Sequence, residues 1–204
     1  MPSKCQFYKK SLTFLGHIIS ASGIKLDPEK IKAIVELPRP TNILGLQSFL
    51  GLVAFVRKFI PNCSKLIAPL TALLKKGVKF KWNFEREKNF EELKKRLTSA
   101  QLLQYPDPQK PYQLETDASD LAIGAVLRIL TSEGYKPVAY KSRMLSKSEQ
   151  NYPIHDKELF AIVHTPNKWW CYLEGIKHLT IFMDHKSLKF SKHNQSSTVV
   201  KLDG

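Results

Sequence analysis

Cysteine is scarce: Cys5, Cys63 and Cys171 are the three in 204 residues, far apart and in no CxxC pair, so neither a disulfide framework nor a zinc ribbon is indicated. Reduced thiols follow. The six histidines lack the i, i+4 spacing of a helical zinc pair. No apolar run reaches the roughly 18 residues that a membrane span needs, and "MPSKCQFYKK" lacks the apolar core of a secretory leader. The expectation is a soluble intracellular protein of the cytoplasm or nucleus, not secreted and with no membrane partner. A glycine-rich phosphate loop and an internal repeat are both absent, and no small-molecule cofactor is expected.

Acid is in short supply as well. The chain has 18 Asp and Glu against 32 Lys and Arg, net +14, while 43% hydrophobic content is enough for a packed core. Residues 1–106 hold 19 Lys and Arg against 7 Asp and Glu, whereas residues 107–204 hold 13 against 11. The basic excess therefore belongs to the first half. Such a half binds a polyphosphate backbone by counterion release, or carries solvated lysine faces; charge alone supports both readings.

What is present reads as two textures. "LTFLGHIISASGIKL" alternates around a Ser-Ala-Ser-Gly turn, which predicts a β-hairpin with Gly23 in the turn. "DPEKIKAIVELP" predicts a short helix, with Asp27 as N-cap, Pro28 in the first turn and Pro38 as stop. "TNILGLQSFLGLVAFVRKFIP" predicts a second, with Ile43, Leu46, Phe49, Leu50 and Val53 on one apolar face. A third follows over "SKLIAPLTALLKK". The fourth is capped by Asn83, with Phe90, Leu93 and Leu97 inward and Lys88, Lys94, Lys95 and Arg96 on a wet face. Three prolines in "QYPDPQKPY" then break the periodicity and place a boundary near residue 106.

Beyond that boundary, "PYQLETD", "AIGAVLRIL" and "KPVAYKSRML" predict an antiparallel meander, "HDKELFAIVHTPNKWWCYLEG" a helix and "HLTIFMD" a last strand. Strands, then helix, then strand imply a mixed sheet with a crossover, an α+β fold. Three of the few acids fall at comparable places: Asp117 ends the first of these strands, Glu158 lies in the first helical turns and Asp184 ends the last strand. Carboxylates so placed can converge to hold hard divalent cations, and a pair of such ions clamps the attacking and leaving oxygens of a phosphodiester. Solvated turn acids are the plainer alternative. Glu115 and Asp120, beside Asp117, are read as solvated or locally hydrogen-bonded.

"FLGHIISASGIKLDPEKIKAI", "LQSFLGLVAFVRKFIPNCSKLIAPLTALLKK", "LETDASDLAIGAVL", "PVAYKSRMLSKSEQNYPIHDKELFAIV" and "MDHKSLKF", in this order, resemble the reverse transcriptase of gypsy-type long-terminal-repeat retrotransposons. The resemblance implies a primer-contacting hairpin and helical thumb-like region over 1–106. An RNase H-like domain, C-terminally incomplete, follows over 107–190, with a divergent tail over 191–204. It further implies that Asp117, Glu158 and Asp184 are catalytic ligands of Mg²⁺ or Mn²⁺ for cutting RNA in an RNA–DNA hybrid. Arg57, Lys58 and Ser119 are the candidate contacts to hybrid or duplex nucleic acid, and the rest of a Pol polyprotein is the implied protein partner. The polymerase palm of that family is upstream of any segment matched here. A fourth carboxylate, usual on a final helix, has only Asp203 as a poor counterpart in a tail read as too short to add the last strand. Pro166 predicts a kink or early end in the helix of Glu158, and Met183 stands where the family has threonine. Three functions follow: a hybrid-cleaving endoribonuclease fragment, a catalytically inactive nucleic-acid-binding module, and an inert retroelement remnant.

Overall fold

Leu15 and Gly16 both adopt left-handed backbone, φ 47° and 71°, the pair of positive angles that a two-residue hairpin turn requires. They fold β1 (Ser11–Phe14) back on β2 (His17–Ser20), which then pairs with β3 (Gly23–Leu26). The expected hairpin is thus a three-stranded meander. β1 escapes sequence inspection because "SLTF" buries no face, and alternation without burial leaves little pattern. Gly23 has φ 134°, and a Cβ there would lie 2.2 Å from the Leu103 carbonyl oxygen. That close approach lets Ile24 and Leu103 exchange backbone hydrogen bonds of 2.8 and 2.9 Å, closing the edge of β3.

The computed structural model describes residues 9–183 and 198–203. Asp27 and Asn83 cap the helices that the sequence assigns to them, and Asn42 caps a third. The Asp27 side chain accepts from the Glu29 amide to open α1 (Pro28–Val35), Asn42 accepts from Gly45 at 2.8 Å to open α2 (Ile43–Val56), and Asn83 accepts from Arg86 at 3.0 Å to open α4 (Phe84–Thr98). Between them lie a 3₁₀ turn at Arg57–Phe59 and α3 (Cys63–Thr71). Leu46, Phe49, Val53, Phe59, Phe90, Leu93 and Leu97 share one buried core. Ile43, expected on that face, is exposed at the first position of α2. Lys94 departs from its expected wet face. Its ammonium lies 4.3 Å from the centre of the Phe90 ring and donates to the Leu37 carbonyl at 2.7 Å, so the stem covers apolar surface while the charge is satisfied.

The second sheet is built from β4 (Tyr112–Ala118), β5 (Ala122–Thr131) and β6 (Gly134–Met144), all antiparallel neighbours. The chain then crosses over through α5 (Lys147–Gln150), α6 (Ile154–Lys168) and α7 (Trp170–Leu173), and lays β7 (His178–Met183) parallel to β4. The tail, expected to add no strand, supplies β8 (Thr198–Asp203), antiparallel to β7, giving the order β6-β5-β4-β7-β8. Its β-branched Thr198, Val199 and Val200 favour a strand, and it covers an edge that would otherwise be open. The fold is α+β, with a mixed sheet and a crossover helix.

α6 continues past Pro166 and ends two residues later, at Lys168. The Trp169 amide closes its last turn by donating to the Thr165 and Pro166 carbonyls at 3.1 and 3.0 Å. Pro166 has no amide to donate to the Ile162 carbonyl four residues back, so the proline penalty falls on the last turn of α6.

The helical region and the sheet meet at β6. Arg57 donates to the Ser142 carbonyl at 2.6 Å and to the Ser64 hydroxyl at 3.3 Å, and the buried Ser64 amide donates to the Ser142 hydroxyl at 2.8 Å. Beside them Asn62, held in left-handed backbone at φ 51°, lies over Gly124. A Cβ on Gly124 would come within 1.9 Å of the Asn62 side-chain oxygen. Gly124→Ala is therefore expected to displace Asn62 and lower stability by about 1–3 kcal/mol. Asn62→Gly, which keeps the left-handed backbone, should remove most of that cost in the double variant. Urea denaturation of the four proteins checks it; additive losses would show that the two residues do not meet.

Candidate nucleic-acid interface

Period-two alternation along β4 sorts its side chains. Tyr112, Leu114 and Thr116 are buried, and the first two share a core with Ile162 and Trp169 of the crossover. Glu115 and Asp117 consequently project from the other face, the one on which Asn62 lies. Asp117 is exposed, stands opposite Gly124 in the β4–β5 register, and accepts from the Asn62 amide at 3.2 Å. The neighbouring acids have partners of their own. Glu115 forms an ion pair with Arg128, and Asp120 accepts from Lys157 at 3.0 Å. Their place in a basic chain is thus local charge pairing.

Glu158 sits half-buried on α6 beside the inward stripe of Lys157, Ala161 and Thr165. Asp184 lies outside the described residues. The Asp117 side chain projects from the face of β4 away from α6, which carries Glu158, and among the described residues no group of three His, Cys, Asp or Glu side chains is placed to hold a metal ion. Asp117 and Glu158 are thus the two expected ligands among the described residues, and they do not lie together.

The other candidates are distributed between structure and surface. Ser119 closes the β4–β5 turn, its amide and hydroxyl both donating to the Ala122 carbonyl at 2.9 Å. Arg57 is held at the junction by Ser142 and Ser64, while the Lys58 ammonium lies 5.3 Å from the Phe59 ring centre. Partial burial pushes the Lys58 pKa down. Cys63 is buried, which pushes its thiol up to about 11 and leaves it protonated; Cys171 is an exposed thiol. Nothing in the sequence marked Asn62, Ser64 or Ser142, since a lone Asn or Ser in a turn or strand carries no periodic signal. Lys141 and Arg143 were more legible. They alternate with Ser142 in "AYKSRM", which puts the two cations on one face of β6 and the serine on the other.

Residues 82–181 match the family described as the RNase H-like domain found in reverse transcriptase. The chain is 42% identical over 201 residues to a retrovirus-related Pol polyprotein from transposon 297 of Drosophila melanogaster, covering 98% of this chain and 18% of that protein. It is 40% identical over 188 residues to the transposon Tf2-3 polyprotein of Schizosaccharomyces pombe, covering 91% and 14%. The foamy viral protease-reverse transcriptase solved with RNA/DNA hybrid superposes with a TM-score of 0.72 at 28% identity, over 92% of this chain and 25% of that one. The same protein in complex with dsDNA gives 0.70 at 28% identity, over 89% and 38%. The chain carries a reverse-transcriptase RNase H-like domain related to retrotransposon Pol polyproteins. It spans about a fifth or less of the length of these curated relatives.

In this RNase H-like domain the Lys157 ammonium is almost wholly buried, at 5% side-chain exposure, whereas its partner Asp120 is 90% exposed. Removing the acid strands a charge in the interior; removing the lysine does not. Asp120→Ala is expected to cost about 1–2 kcal/mol, less than the ~3–5 kcal/mol of a fully buried pair because Asp120 stays in water. Lys157→Met should cost less than Asp120→Ala. Equal losses in chemical denaturation would show that the ion pair, not the stranded charge, sets the cost.

His17 lies between Phe55 and Phe59, ring centres 4.9 and 5.6 Å away, with its Nδ1 2.9 Å from the Leu15 carbonyl. Burial and then the charge of Lys58 push its pKa down, against the opposing pull of the Leu15 and Phe14 carbonyls. A depressed histidine binds its proton more readily unfolded. Its contribution to stability is therefore full above the ordinary histidine value near 6.5 and lost as pH falls through and below it. The denaturation midpoint should drop between about pH 7.5 and pH 5, and less steeply in His17→Asn; identical slopes in the two proteins would contradict this.

Proposed function

We propose that the chain is a nucleic-acid-binding module of a retrotransposon reverse transcriptase. Residues 1–106 serve as the hairpin and thumb-like region, residues 107–190 as the RNase H-like domain, and the ligand is an RNA–DNA hybrid or a DNA duplex. The observation that carries this reading is the asymmetry of charge: residues 1–106 have 19 Lys and Arg against 7 Asp and Glu, on a fold whose superposable foamy viral relative was solved in complex with RNA/DNA hybrid and with dsDNA. A strongly cationic surface gains affinity for phosphates chiefly by releasing their counterions. Binding is favoured over hydrolysis as the present role because Asp117 is engaged by Asn62 and faces away from the helix that bears Glu158. Metal-dependent cleavage through Asp117, Glu158 and Asp184 is the reading that family resemblance implies.

One experiment separates them. A labelled RNA–DNA hybrid is titrated with the 204-residue chain at several salt concentrations, and the same hybrid is incubated with it in Mg²⁺ or Mn²⁺. The log of the affinity should fall linearly with the log of salt, by roughly 0.9 per phosphate neutralised on a B-form duplex, with little cleavage. Salt-independent binding would remove the reading. So would efficient cleavage that Asp117→Asn abolishes.

A further inference from the structure

A cleft of about 820 Å³ opens where the helical region meets β6 and α6. Arg57 and Lys58 line it from the helical side, Lys141 and Arg143 from β6, and His164 and Lys168 from α6. Among the described residues no Asp or Glu lines it. Glu149 holds Arg143 through two contacts of 2.9 and 2.6 Å, and Arg57 is held by Ser142 and Ser64. Among the described residues no carboxylate pairs with Lys58, Lys141 or Lys168, the three other cations around this concave space besides His164. Folding that gathers like charges in a partly dry cleft is unfavourable unless something anionic enters, and low-dielectric walls concentrate the resulting field.

We propose that this cleft binds the phosphodiester backbone of one nucleic-acid strand, with Lys58, Lys141 and Lys168 as the phosphate contacts; the proposal rests on the nucleic-acid-binding reading above. Compact, rotatable ammonium groups suit a run of phosphates, each taken as a point charge. The wall also offers the half-buried Tyr140 and Tyr172 beside the cations, a lining on which sugars and bases pack without sequence preference. The crowding bears on the protonation of the groups inside the cleft. The pKa of Lys141 is pushed down by burial and then by Lys168 and Arg57, and that of His164 by burial and then by Arg143, Lys168 and Lys141, with Glu149 opposing. A bound phosphate reverses the sign of this local field.

The first measurement uses the unmodified chain. The His164 ring is titrated by NMR, alone and with a (dT)12 single strand, and its pKa should rise on binding. An equal rise with inorganic phosphate at the same phosphate concentration would replace the strand by a lone oxyanion and overturn the proposal. The second compares Lys141→Ala/Lys168→Ala with the control Lys110→Ala/Lys177→Ala, which removes the same charge away from the cleft. The salt slope for the single strand should become shallower by about 1.4 in the first pair, two contacts at roughly 0.7 each, and change little in the control. Binding by the intact chain with unchanged slope in both pairs and an unmoved His164 overturns the cleft and leaves the functional reading standing. No binding of the single strand by the intact chain overturns the cleft, and the functional reading falls with it only where the RNA–DNA hybrid is not bound either.

Discussion

Ser142 is where the two halves of the chain are locked together. Its carbonyl and hydroxyl accept from the Arg57 guanidinium and from the Ser64 amide, and both Ser142 and Ser64 are buried. A buried polar group without a partner costs about 1–3 kcal/mol, so each of these groups depends on the others being in place. Because Ser142 lies on an edge strand, its carbonyl points out of the sheet, where no strand competes for it. Arg57 fills that vacancy from the end of α2, and α3 is carried onto the sheet as a result.

The position of Asp117 follows from this docking. Once Ser64 is fixed on β6, Asn62 two residues earlier must pass over β5, and it does so in left-handed backbone that asparagine tolerates better than most residues. There only a glycine permits the approach, and Gly124 is directly opposite Asp117 in the register. The Asn62 amide then reaches the Asp117 carboxylate. An acid that sequence motif and strand position single out as a ligand is therefore tied, in this arrangement, to the helical region. The same docking creates the cationic cleft, since it brings Lys58 from the helical side toward Lys141 and Lys168.

Periodicity was legible wherever one face of an element is buried. Phe90, Leu93 and Leu97 are inward as spacing predicts, Asp27 and Asn83 cap the helices they precede, and the order of strands, crossover and strand is the one observed. Pattern failed where burial is weak or contacts are singular. β1 has no buried face to alternate against, and Ser142 is one polar residue among several in its strand. Lys94 reads as a solvated cation because composition cannot show that its stem lies along Phe90. Of the expected acidic site, Asp117 and Glu158 are where strand and helix assignments put them, yet alternation along β4 sends Asp117 to the face away from α6. That consequence was available in the sequence, because Leu114 and Thr116 are the better candidates to meet a covering helix, and one residue of register decides the face.

β6 shows how one strand serves both functions of the junction. Ser142 faces the helical region and supplies its anchor, while Lys141 and Arg143, one residue to either side, face α6 and supply charge. Glu149 neutralises only Arg143, which also lies 5.1 Å over the Phe160 ring and so acts as a structural cation. Lys141 is left to the cleft. Exchanging these roles by a one-residue shift of β6 would put Ser142 against α6 and two cations against Ser64, breaking the anchor and emptying the cleft together. The register of this edge strand is therefore constrained from both faces, which is the condition under which a strand is strongly specified.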